Sequence, residues 1–144
     1  MIMLKKIIVI VIIVLVLLAS LLVFPLLGFA LGFAGIGLDS LIITCIFIFV
    51  WLLVLLVAIK FKSKALFNMY NYYWLTVSVV CFFVVGNLGI LEGLAFVLFA
   101  LFLTPIIGVD YLITSSTTVL SAVLILVALC LFSIGFFAKK KVLN

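Results

Sequence analysis

Long apolar runs and short polar breaks alternate along the chain. Residues 7–27 are almost all Ile, Val and Leu and follow a head carrying Lys5 and Lys6. A second run covers 41–59 and stops at Lys60-Phe61-Lys62-Ser63-Lys64. A third begins near Trp74 and hardly stops until Asp110, broken only by Gly86-Asn87, Gly89, Glu92-Gly93 and Thr104-Pro105. A fourth covers 119–138 and stops at Lys139-Lys140-Lys141. Runs of about 20 apolar residues match the helix length that spans a hydrocarbon core. Only helices or closed barrels satisfy every backbone group in lipid, and barrel strands alternate apolar and polar residues. The unbroken runs therefore predict an all-α, polytopic transmembrane helical bundle, a single integral membrane domain over residues 1–144.

The breaks predict the turns. Pro25 lies near the far end of the first run, and the glycines at 28, 32, 35 and 37 follow it, glycine weakening a helix interior. Gly28 and Gly32 also have the spacing that lets membrane helices approach closely. Asp39 and Asp110 precede the second and fourth runs and read as outer-turn helix caps, their charge suiting the positive end of a helix dipole. The hydroxyl run 114–118 reads as a helix start. Residues 65–74 read as the longest polar-tinted connection. Its Tyr70, Tyr72, Tyr73 and Trp74 read as an interfacial aromatic belt, an aromatic ligand pocket being the alternative. The basic head resembles a secretory signal, with Ala19-Ser20 as a cleavage point. The apolar run continues past those residues, so an uncleaved first span is expected.

The third stretch is too long for one span. Residues 74–109 as one helix would measure about 54 Å, against a hydrocarbon core of about 30 Å. The span could end near residue 91 with Glu92 outside; it could slide to about 81–103 and bury Glu92; or both halves could cross, for five spans. Residues 36–44 faintly resemble 107–114, and that 71-residue offset favours the sliding register. Charge favours four spans, with five as the alternative. With four, Lys5, Lys6, Lys60, Lys62, Lys64, Lys139, Lys140 and Lys141 share one side, which the positive-inside rule makes cytoplasmic along with both termini.

Composition narrows the function. The chain is 72% hydrophobic and 8% charged, where soluble domains run about 45–50% and about 25%, so its solvent is lipid. The formal charge of +5 comes from eight lysines at helix ends. They read as topology signals and lipid-headgroup contacts rather than a nucleic-acid surface. There is no His, and Cys45, Cys81 and Cys130 lie apart inside apolar runs, where they read as small buried hydrophobes. Nothing pairs a nucleophile with a base, or gathers metal ligands. No enzyme, metal or cofactor is expected. Glu92, the only Glu, with Asn87 five residues before it, is the candidate ion, proton or polar-contact site, since a carboxylate in hydrocarbon is costly; the plainer alternative is an outer-surface Glu. The leading expectation is an accessory or interaction subunit of a membrane complex, its partners the bilayer and itself or another membrane protein. A small oligomeric transporter or channel using Glu92 and a holin-like pore former are the alternatives. The all-Lys, Ile-rich usage points to a prokaryotic plasma membrane.

Overall fold

The computed structural model describes residues 1–27, 38–85, 102 and 117–144, and these form an all-α bundle of four helices. Helix α1 is Ile2–Leu18; it runs through a π-helical turn at Ala19–Val23 and on to Leu27. Helix α2 is Leu38–Phe61, α3 is Lys64–Val85 and α4 is Thr117–Leu143. Among the described residues, three segments are long and apolar enough to cross a membrane: Ile2–Leu27, Leu41–Phe61 and Ala122–Leu143. The protein is membrane-embedded on that basis.

Pro25 sits inside the first helix, near its far end. A proline has no N–H and crowds the carbonyl four residues back. The preceding turn widens in response, with the Phe24 N–H bonding to the Ala19 carbonyl five residues earlier, as π-turns allow.

The junction of α2 and α3 is two residues, not the ten-residue connection that composition suggests. Lys62 adopts a left-handed backbone at φ 49°. Its N–H bonds to the Ile59 carbonyl at 3.2 Å and the Ser63 N–H to the Ala58 carbonyl at 3.1 Å. This is a Schellman stop, which satisfies the last carbonyls of a helix. Ser63 then starts the next helix: its Oγ accepts from the Leu66 N–H at 3.4 Å and its carbonyl from the Phe67 N–H at 3.1 Å. The expected connection 65–74 is therefore the first half of α3. Asp39 lies inside the first turn of α2, exposed. Helix α4 starts at Thr117 and carries its helical geometry through and past the three lysines.

Each helix packs through one stripe. In α2 the buried residues Thr44, Phe47, Trp51, Val54 and Ala58 recur at intervals of three and four. Leu124, Ala128 and Leu131 do the same in α4, and Tyr70, Trp74, Val77 and Cys81 in α3. That period lets the helices of a bundle interlock. Cys81 is buried as expected, but Cys45 and Cys130 are exposed on the outer faces and all three thiols are free.

Neighbouring helices run antiparallel. Lys5 and Lys6 share a cleft with Phe61, Ser63 and Ala65, while Lys139 and Lys140 share another with Lys64. All eight lysines thus gather at one end of the bundle.

The pairing of α3 with α4 is the most extensive in the bundle, and Gly135 sets its closeness. A methyl there would overlap the Asn71 amide oxygen and the Tyr70 ring. The Tyr70 ring cannot retreat, because it is fully buried against Trp51 and Trp74. Gly135→Ala should destabilise the protein by about 1–3 kcal/mol, the usual cost of overpacking. Ile134→Ala, on the exposed side of the same helix, should stay within about 0.5 kcal/mol. Thermal unfolding in detergent compares the two, and equal effects would refute the close approach.

Candidate functional site

Helix α3 is not among the segments apolar enough to cross a membrane. Its first half carries Asn68, Asn71, Tyr70, Tyr72, Tyr73 and Trp74. Hydrocarbon offers these groups no hydrogen bonds, so the helix turns them inward. Tyr70, Tyr73, Trp74 and Asn71 are buried, and Tyr72 alone of the four candidate belt aromatics is exposed.

Their depth also departs from a belt. Trp51 stands ten residues before the end of α2 and Tyr73 nine residues into α3. At about 1.5 Å per residue, both lie about 14–15 Å from the lysine end. A span entering hydrocarbon at the lysine end would carry both about halfway through a layer about 30 Å thick, whereas a belt lies at its surface. The spacing of the polar and aromatic positions 70, 71, 73, 74 and 78 marks one helical face, which a composition averaged over the stretch conceals.

The aromatic rings form one connected cluster. Trp51 stacks on Tyr73 with centroids 4.1 Å apart and planes 20° apart. Trp74 meets Tyr73 edge-on at 5.6 Å and Trp51 at 6.1 Å, and Tyr70 meets Trp51 at 6.0 Å. Phe47 extends the cluster to Phe24 of the first helix, edge-on at 5.0 Å. Phe102 packs against Tyr73 at 5.8 Å. Such stacked and edge-on pairs add about 0.5–1.5 kcal/mol each beyond their buried area.

Polar atoms in this interior fall into two groups. Some are satisfied. The Ser78 hydroxyl donates to the Trp74 carbonyl at 2.9 Å, and Lys139 Nζ donates to Asn68 Oδ1 at 2.7 Å, tying α4 to α3 near the lysine end. The others are not. The Trp51 and Trp74 indole nitrogens, the Tyr70 and Tyr73 hydroxyls, Asn71 Oδ1 and Ser20 Oγ are buried without a hydrogen-bond partner among the described residues. Ring stacking explains part of this: rings packed face to face or edge to face hold their N–H and O–H groups away from one another's acceptors. Four of the six atoms belong to the mutually packed rings of Trp51, Tyr70, Tyr73 and Trp74. An unsatisfied buried hydroxyl or amide costs about 1–3 kcal/mol by mutational measures, and an unpaired group of this kind asks for an explanation.

Chemically, the cluster is a hydrogen-bond donor. Indole N–H groups only donate, and phenols donate as well as accept. It suits an acceptor such as a carbonyl, ether, carboxylate or water. Among the described residues no group of His, Cys, Asp or Glu is placed to hold a metal ion. Of the residues singled out in the sequence, Asp39 and the lysines lie at opposite ends of the bundle, away from the cluster. Glu92, Asn87 and Asp110, and the resemblance of 36–44 to 107–114, fall wholly or largely outside the described residues. Trp51, Tyr70, Tyr73, Trp74, Asn71 and Gly135 were not expected as a group; two come from helices whose pairing no local pattern encodes.

No protein-family profile, curated protein or solved structure matches the chain.

Tyr73→Phe and Tyr70→Phe keep the rings and remove only the unpartnered hydroxyls. Each should raise the stability of the purified protein by about 1 kcal/mol or more, seen as a higher unfolding temperature. A fall of similar size would mean that the hydroxyl has a partner in the folded protein.

Proposed function

We propose that the protein is a non-catalytic accessory subunit that meets its partner inside the bilayer. It is a four-pass protein of a prokaryotic plasma membrane, its lysine end and both termini in the cytoplasm. Orientation rests on the gathering of eight lysines at one end, since positive charge is retained on the cytoplasmic side. The two-residue turn between α2 and α3 leaves no room for a soluble module at that point.

One observation supports the interaction reading above the rest. The segment Ile2–Leu27 has 6% of its most apolar window buried, against 33% for Leu41–Phe61 and 22% for Ala122–Leu143. Its packing stripe is narrow: Val9, Ile12, Ile13 and Val16 are only partly buried, and Ser20 and Phe24 are buried. The remaining apolar ridges, Val11, Val14, Leu15, Leu18 and Leu22, are exposed. Membrane helices associate through van der Waals packing of such ridges, so a second membrane protein, or a second copy, has a long surface to pack on.

A second reading, a small oligomeric transporter or channel, is favoured by the unpaired donors at mid-bilayer depth. Polar groups inside membranes mark pathways for solutes and ions. Glu92 would supply the charge-coupling group in that case.

A photo-crosslinking residue at Leu15 or Leu18, compared with one at Phe49 on the outer face of α2, tests the first reading in native membranes. The α1 positions should yield one discrete protein adduct and the Phe49 position none. Absence of any protein adduct, with a monodisperse monomer after extraction, would refute it. Solute flux in proteoliposomes that is lost in Glu92→Gln would favour the second reading instead.

A further inference from the structure

Helix α3 begins with a positive charge on its positive end. Lys64 is its first residue and no acid stands in its first turn. Helix N-termini favour anions, so Lys64 is opposed by the helix it starts. Lys139 and Lys140 approach the same point from α4, and the three lysines line an open cleft of about 550 Å³ with Phe136, Leu143 and Asn144. Asp39, the one side-chain acid among the described residues, lies at the start of α2, at the far end of the bundle. The cations of the cleft are therefore not neutralised by a described acidic side chain.

Two further features shape the cleft. Lys139 is held in place by its 2.7 Å bond to Asn68, which uses one of its three N–H donors and leaves two. Phe136 lies one helical turn nearer the middle of the bundle than Lys139 and Lys140, and is half exposed. The cleft thus has cations at the membrane edge and an aromatic wall leading into the hydrocarbon.

We propose that this cleft is a binding site for an anionic phospholipid. The phosphodiester accepts from Lys64, Lys139 and Lys140, and an acyl chain lies along Phe136. Charge complementarity selects the headgroup, and the apolar wall on the membrane side selects a lipid over a free phosphate. The site rests on the membrane reading of the fold, which extraction of cell membranes with alkaline carbonate tests separately: a protein released by carbonate would overturn that reading itself.

The test is lipid retention by native mass spectrometry, on full-length protein from nanodiscs containing equal phosphatidylglycerol and phosphatidylcholine, at a salt concentration that screens diffuse attraction. Wild type should retain one phosphatidylglycerol in preference to phosphatidylcholine. Lys64→Gln with Lys140→Gln should lower that retention at least tenfold, Lys139 being left intact because it ties two helices. Lys60→Gln with Lys62→Gln removes the same charge from the same end and should change retention less than twofold. Equal loss in both pairs would overturn the site in favour of diffuse charge. Displacement of the lipid by millimolar inorganic phosphate would overturn the lipid as occupant, and so would retention without headgroup preference. Near-ultraviolet circular dichroism of both variants confirms that the aromatic bundle is intact.

Discussion

Hydrocarbon cannot hydrogen-bond, and the fold depends on how one helix meets that constraint. Helix α3 carries two asparagines, three tyrosines and a tryptophan in its first eleven residues. The surrounding helices are far more apolar and can face lipid on their outer sides. Placing α3 against both α2 and α4 is the arrangement that shields its polar face. Gly135 allows α4 to close on that face, and the Lys139–Asn68 bond fastens the lysine end. The order is inverted relative to a soluble bundle, where the most apolar face turns inward.

This burial conflicts with local satisfaction. Thr76, Ser78 and Ser133 return their hydroxyls to carbonyls four residues back, at 2.8–2.9 Å, the usual solution for hydroxyls within helices. The indoles and phenols of the cluster are too large and rigid to do this. Their rings gain from packing while their polar tips go without partners. Natural proteins tolerate such a conflict most often where function requires it. The lysine end holds a second conflict of the same kind, like charges brought together and set against a helix dipole. An acceptor inside the bundle and an anion at its edge would relieve the two.

Much of the architecture was legible in the sequence. Unbroken runs of Ile, Val and Leu specify helices by length, and the placement of the lysines anticipates their meeting at one end. Residues 64–74 were not legible by composition. Averaged over a window, Asn and Tyr look like a connection, although Tyr70, Tyr73, Trp74 and Val77 fall on one helical face. The stop at Lys62 was hidden too, because a Schellman turn ordinarily advertises itself with glycine, and here Lys adopts the left-handed backbone. Gly135 carried no signal, since the residues it makes room for lie more than 60 positions away. Glu92, the most conspicuous residue of the sequence, falls outside the described residues, and the chemistry legible in the fold lies instead in neutral aromatic groups.

Central to the fold is that α3 is helical with one buried face through residues 65–74. Single spin labels placed at successive positions from 65 to 85, with collision rates measured for oxygen and for a water-soluble nickel chelate in liposomes, test this most directly. Labels at Tyr72, Leu75, Val79 and Phe82, which are exposed to the outside of the bundle, should show high oxygen collision. Labels at Phe67, Tyr70, Trp74 and Val77 should show low collision with both reagents, with a helical period running through the whole stretch. High nickel collision throughout 65–74, without that period, would mean a water-exposed connection and would contradict the account.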